Sequence, residues 1–414
     1  MTSAKLTRIT AAMLLTVLAA HAQLQAAPTA RYTVKDLGTL GGTFAFAGGI
    51  TDSGWVEGYS SLPGDNDTHA FLWRDGVMTD LGTLGGPNSF SDFRPNDFGD
   101  GGGSSDTSTP DPNGEDYCGF GTQLICRAFY WHHGALTAQP PLGGNNSAGF
   151  GTNDLGDLAG NAENKIQEPT CAGTGQVLQY KPVLWRQGRV YELPTLGRDP
   201  VGVAYAINDW GEAVGQTGPC GTEAFGGTGH AVLWVNGKPI NLGSLGGTTN
   251  NAPQDLNNLG QVVGFSGLSG DATFHAFLWE RGVMKDLGTL PGDVHSVAES
   301  INSRGEIVGR SSDASFNGRG VVWQNGVITD LNTLIPANSG LYITEGTSNN
   351  DLGQIVGTAM QISTGEMHAF LATPRSNGAV GNIAASDHVE RPNLALSEEI
   401  RRLLQRRKRA SLPW

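Results

Sequence analysis

Apolar residues in this chain come in short bursts, each closed by a glycine-bearing turn, and the bursts recur in a fixed order. The run GVAYAI leads into INDWGEAVG at 207–215, then HAVLWVNG at 230–237, then INLGSLGG at 240–247. The first signal returns as ITDSGWVEG, PNDFGDGGG, TNDLGDLAG, LNNLGQVVG, INSRGEIVG and NNDLGQIVG, with turn glycines at 54, 99, 156, 211, 260, 305 and 353. The second returns as HAFLW (69–73), RAFYW (127–131), KPVLW (181–185), HAFLW (275–279), RGVVW (319–323) and HAFLA (368–372). Each unit of 45–57 residues therefore parses into four short strands. Asn-Asp followed by Gly suits a tight hairpin turn, because these residues tolerate positive φ. Four hairpin-linked strands per unit, repeated seven times, predict an all-β, seven-bladed β-propeller of four-stranded antiparallel blades over 31–373.

The phase of the repeat predicts how the ring closes. YTVKDLGTLGG at 32–42 is a fourth-type strand with no first three before it, and HAFLATP at 368–374 is a third-type strand with no fourth after it. An N-terminal strand that completes the last blade leaves no broken unit and removes an exposed sheet edge. Pro140, Pro141, Pro194 and Pro291 fall in or beside fourth strands, which places those strands at the outer edge, since proline cannot donate to a ladder.

The motif His-Ala-Phe at 69–71, 275–277 and 368–370, followed by LW and DLGTLGG, resembles the extracellular HAF-repeat family over about 32–373. The resemblance implies a secreted bacterial repeat protein of unsettled biochemical role. Arg127, Lys181 and Arg319 stand where the motif has His. A metal ligand could not be exchanged for Arg or Lys, so the histidines at 69, 230, 275 and 368 read as polar strand starts. Trp73, Trp131, Trp185, Trp234, Trp279 and Trp323 share one position and read as blade-to-blade packing. The Asn-Asp pairs read as turn chemistry rather than calcium ligands.

Export changes how the cysteines read. Lys5 and Arg8, the apolar stretch from Ile9 to Ala20 and the small residues AHA at 20–22 make a signal peptide at 1–22. The expected location is extracellular or periplasmic, with no transmembrane segment. In an oxidising compartment the four cysteines should pair, as Cys118–Cys126 and Cys171–Cys220. All four lie in the long insertions 104–126, 161–180 and 216–229, between second and third strands of blades 2, 3 and 4. Rigid scaffolds tend to carry function on such loops.

Charge excludes one class of partner. Of the chain's 39 acidic residues, 35 fall in 31–373 against 16 basic ones, so nucleic acid is not an expected partner. First strands contribute Asp92, Arg94, Asp255, Glu299 and Glu345, of which Asp92, Arg94, Asp255 and Glu299 are the candidate ligand-binding residues at the channel mouth. Asp111, Asn113 and Glu115 have the alternate spacing of a calcium loop but lack its later bidentate Glu, so calcium is a weak candidate and no other cofactor is expected. No GxSxG, HExxH or phosphate-binding glycine loop is present. The expected function is a monomeric binding module whose ligand (a glycan, peptide or surface polymer) meets the loops of blades 2–4. The alternatives are a polysaccharide hydrolase or lyase using channel-mouth acids, and a structural exoprotein. After a linker at 374–393, residues 394–409 predict a short basic amphipathic helix, with Leu396, Ile400, Leu403 and Leu404 on one face.

Overall fold

The computed structural model describes residues 30–222 and 226–375. The expected signal peptide, the C-terminal helix and nearly all of the linker lie outside them. The described residues form seven four-stranded antiparallel sheets. Blade 1 is Ala45–Ile50, Val56–Ser61, Thr68–Arg74 and Val77–Gly82, from the inner strand outward. Blades 2 to 6 repeat this order from inner strands Gly85–Phe90, Ser147–Thr152, Val201–Ile207, Ala252–Leu256 and His295–Ile301. Blade 7 is Leu341–Asn349, Ile355–Gln361 and Met367–Pro374, with Tyr32–Gly38 as its outer strand. Among the described residues no helix is long and apolar enough to cross a membrane.

The repeat's invariant-looking positions each have a mechanical reason. The inner strands carry register shifts, as at Ala47/Gly49, Ala204/Ala206 and Ala298/Ser300. Each bulge pushes an inner carbonyl toward the second strand, where the repeat has glycine: a Cβ on Gly58, Gly215 or Gly309 would overlap the carbonyl oxygen of Phe46, Val203 or Val297. The tryptophans fill the space between blades. Trp185, Trp234 and Trp323 are at most 2% exposed, and their Nε1–H groups donate to Pro140, Pro194 and Leu287 carbonyls on the preceding blade's outer side, at 2.8, 2.8 and 3.0 Å.

The histidine of the HAF motif pairs with the aspartate of DLG on the outer strand. His69 Nδ1 lies 2.8 Å from Asp80, and His275 Nδ1 lies 2.9 Å from Asp286. In blade 7 the aspartate comes from the other end of the chain, and His368 Nδ1 lies 2.9 Å from Asp36. The same aspartate accepts from the N–H of the following glycine, at 2.8 Å for Gly38 and 2.7 Å for Gly82 and Gly288. These glycines sit at φ +80°, +73° and +67°, which explains the motif's third letter. Of the departures, Arg319 keeps an ion pair, contacting Asp293 at 2.6 Å and Asp330 at 3.8 Å, whereas Lys181 Nζ donates to Pro200 O. His230, facing Asn241 instead of Asp, turns to Asp199 at 2.9 Å.

The Asn-Asp turns join the blades into a ring. Each Asn caps its own turn, and in blades 3 to 6 its Nδ2 also donates to the corresponding carbonyl of the next blade: Asn153 to Asn208, Asn208 to Asn257, Asn257 to Asn302, Asn302 to Asn350; Asn96 Nδ2 donates instead to Asp100 at 3.4 Å. Asn350 then donates to Thr51 of blade 1 at 2.9 Å. The aspartates run the same way, with Asp52, Asp97, Asp154 and Asp209 each accepting from, or donating a backbone N–H to, a neighbouring turn.

Candidate functional site

Antiparallel blades have two faces. One holds the tight turns from inner to second strand and from third to outer strand. The other holds the connections from second to third strand, where the insertions of blades 2, 3 and 4 stand. In blades 2 and 3 the flanking strands lengthen to ten and nine residues, Gly101–Pro110 with Leu124–His132 and Leu158–Gln167 with Leu178–Arg186. They carry loops at 111–123 and 168–177.

These loops are fixed covalently and by buried polar bonds. Cys118–Cys126 closes the blade 2 insertion, and Cys171–Cys220 joins the insertions of blades 3 and 4. The blade 2 loop turns inward. Phe120 packs edge-on against inner-strand Phe90, and Tyr117 against Tyr180 of blade 3. With Phe44, Phe46, Tyr59, Phe150 and Tyr205 they belong to one buried aromatic cluster at the inner strands.

Asp111, Asn113 and Glu115 are part of this fixation. Asp111 Oδ1 accepts from the backbone N–H of Asn113 and Glu115 at 2.7 and 3.1 Å. Glu115, fully buried, accepts from the Val177 and Leu178 N–H groups of blade 3 at 2.6 and 2.9 Å. The Asn146 side-chain amide sits among three carboxylates, with Nδ2 at 2.9 Å from Asp111, 3.5 Å from Glu115 and 3.2 Å from Glu163. Its Oδ1 accepts from Cys126 N–H at 2.9 Å, which sets the amide's orientation. The –NH2 group thus stands where a cation would have to sit, and among the described residues no group of three or more His, Cys, Asp or Glu is arranged to hold a metal. Glu163 was not singled out by sequence. Burial, reinforced by Glu115, pushes its carboxyl up to about 7.

Asp92, Arg94, Asp255 and Glu299 do converge. They line one cavity with Phe46 and Thr347 in the central channel. The cavity admits water centres over only about 50 Å³, against the 300–1,000 Å³ of ordinary small-molecule sites. Each of the four stands two to four residues ahead of its Asn turn, so the cavity lies toward the tight-turn face. The insertions are at the other end. Asp255 is also engaged between blades, accepting from Ser300 Oγ at 2.8 Å and Ile301 N–H at 3.1 Å. Glu345 pairs instead with Arg310, at 2.8 Å.

A roomier cleft of about 350 Å³ opens on the insertion side, beside the end of the blade 4 insertion. Thr228, His230, Asn241, Ser244, Thr248 and Asn251 line it, together with glycines that bare the backbone. Its walls are hydroxyls, amides and one imidazole, without a carboxylate among them. Of these the sequence singled out His230 alone, as a polar strand start rather than a ligand contact; the cleft itself forms at the junction of two repeats.

The sequence matches no protein-family profile and no curated protein. Among solved structures it is similar to the β-propeller domain of the Trilobed protease from Pyrococcus furiosus, at 11% identity and a TM-score of 0.46 over 68% of this chain and 79% of that one. It is also similar to a gluconolactonase of Xanthomonas campestris, at 10% identity and a TM-score of 0.34 over 84% and 96% of the two chains. A lectin of Aleuria aurantia in complex with Fucα1-6GlcNAc is similar at 9% identity and a TM-score of 0.33, over 86% and 100%.

Proposed function

We propose that this protein is a secreted binding module whose ligand is a hydroxyl-rich extracellular polymer, a glycan first of all, met by the insertion face of blades 2–4. The observation that carries the reading is the fixation of those insertions. Two disulfides and the buried Glu115 contacts tie three long loops to one another and to the blades, which lowers the ordering cost of binding. The adjoining cleft offers hydroxyl, amide and imidazole groups suited to hydrogen-bonding a polymer's hydroxyls. A glycan and cell-wall polymer array probed with mature protein should identify a binder. Ser244→Trp, which fills the cleft from an exposed position, should weaken that binding at least tenfold without moving the melting temperature. An array with no binder, or unchanged binding by Ser244→Trp and by the reduced protein, rejects the reading.

A second reading, a hydrolase or lyase, has one observation in its favour: Asp92, Asp255 and Glu299 meet in one cavity. Turnover of a polysaccharide that disappears in both Asp255→Asn and Glu299→Gln would select it.

A further inference from the structure

The tight-turn face carries an apolar ring that the turns themselves do not need. The residue after the Asn-Asp (or Asn-Asn) pair is Phe98, Leu155, Trp210, Leu259 and Leu352 in five blades, and these are 62–74% exposed. The turn's bonds come from the Asn before it and the Gly after it, and of the five side chains Trp210 alone adds one, its Nε1–H donating to Asn258 O at 3.0 Å. Five large apolar side chains on one face mark a covered surface rather than scattered exposure. Asp97, Asp154, Asp209 and Asp351 stand beside four of them in the same turns, and Asp52 stands in the blade 1 turn. Burial, and then the neighbouring aspartates, hold Asp52 and Asp154 above the usual carboxylate range, while in the blade 6 turn Arg304 takes the ring position and pairs with Glu306.

The described chain leaves the propeller at this face. Pro374 lies 3.3 Å from where a Cβ on Gly353 would stand, and Gly353 follows Leu352 in the blade 7 turn. Beyond Arg375 the sequence continues through 18 residues to 394–409, whose pattern is amphipathic and holds six basic residues against two acidic ones.

We propose that the C-terminal segment 394–409 docks on this ring, its Leu396, Ile400, Leu403 and Leu404 stripe over the exposed apolar side chains and its arginines toward the aspartates. The link is long enough. A flexible stretch of that length spans about 21–25 Å on average, and the segment as a helix is about 24 Å long. The inference is independent of what the insertion face binds.

Zero-length carbodiimide cross-linking of the full mature chain at high dilution, read by peptide mass spectrometry, tests it. Lys408 should link within one molecule to Asp97, Asp154, Asp209 or Asp351. The link should vanish in the double variant Leu155→Ser/Trp210→Ser, and tryptic cleavage after Arg401 and Arg402 should become at least tenfold faster there. Cross-links confined to insertion-face carboxylates overturn the proposal, as do cleavage rates equal in wild type and variant. A dimer by light scattering that the double variant dissociates also overturns it, and assigns the ring to a second copy.

Discussion

Arg319 and His275 occupy one repeat position in adjacent blades, yet burial separates what each is worth. The Arg319 side chain is 4% exposed and its partners Asp293 and Asp330 are 3% and 6% exposed, so removing the guanidinium strands two carboxylates away from water. Arg319→Ala should cost about 3–5 kcal/mol, whereas His275→Ala, whose partner Asp286 is 43% exposed, should cost about 1 kcal/mol or less in the same urea titration. Glu57 is a residue-scale anomaly of the opposite sort. It takes the place held by Ala159, Val214, Val263, Val308 and Val356 in other blades, and Gly101 of blade 2 leaves room for its carboxyl. Burial pushes that carboxyl well above its ordinary value of 4.5, with partial relief from the Ser91 hydroxyl. The folded chain therefore keeps a proton that the unfolded chain releases, and this contribution to stability is full in acid and declines as pH rises past the unfolded value. Glu57→Gln should be more stable than wild type at pH 8 by about 1–2 kcal/mol, with the gap closing toward pH 4 in thermal melts. A gap that does not change with pH means Glu57 is not the titrating group.

Strands and turns were legible because the chain writes each element seven times, so hairpin chemistry and small inner strands could be checked against their own copies. The partners of those elements were less legible. DLG reads as a strand end, but only the sheet register shows that its aspartate faces the HAF histidine. Asn-Asp reads as a turn, but the donation from Asn208 Nδ2 to Asn257 O crosses 49 residues and leaves no local pattern. Asn208 also accepts from the N–H groups of Trp210 and Glu212 at 3.1 and 3.0 Å. Asn208→Ala should therefore cost about 2 kcal/mol, and Asn208→Asp, which keeps the acceptor, about half that in equilibrium unfolding. The position of the channel charges was available from the sequence: each stands just ahead of an Asn turn, which places it at the tight-turn end. The inward packing of Phe120 on Phe90 was not, since aromatic residues far apart in sequence carry no period. At this scale the insertions are predicted to depend on their staples. Cys171→Ser/Cys220→Ser, opening a separation of 49 residues, should lower stability by about 2–4 kcal/mol and weaken polymer binding more than it lowers secondary structure by circular dichroism.

For the whole molecule the decisive element is Tyr32–Gly38, which supplies both the edge cover and the Asp36 partner of blade 7. Deleting 31–42 should expose the third strand of that blade, cut the melting temperature sharply and bring concentration-dependent association through the bare edge. An unchanged melting curve would show that the seven sheets hold together without that strand. Asp36→Asn is the milder version. Burial raises the Asp36 carboxyl, but bonds from His368, Gly38 N–H and Gln361 outweigh it and leave the group below its ordinary value. Its contribution is therefore present at neutral pH and lost as pH falls, so the substitution should destabilise at pH 7 and matter little in strong acid.

The two ends of the described chain touch: Arg375 N–H donates to Arg31 O at 2.8 Å, and Tyr32 lies opposite Pro374 in the ladder. Tension applied at both ends would load that seam from one end, parting its bonds one after another rather than all at once. Each bond resists with only about 1 kcal/mol, so little force is needed to start. Anchored at one end and pulled at the other, the molecule would give first at blade 7, while the disulfide-stapled blades on the opposite part of the ring carry no load until the seam has opened.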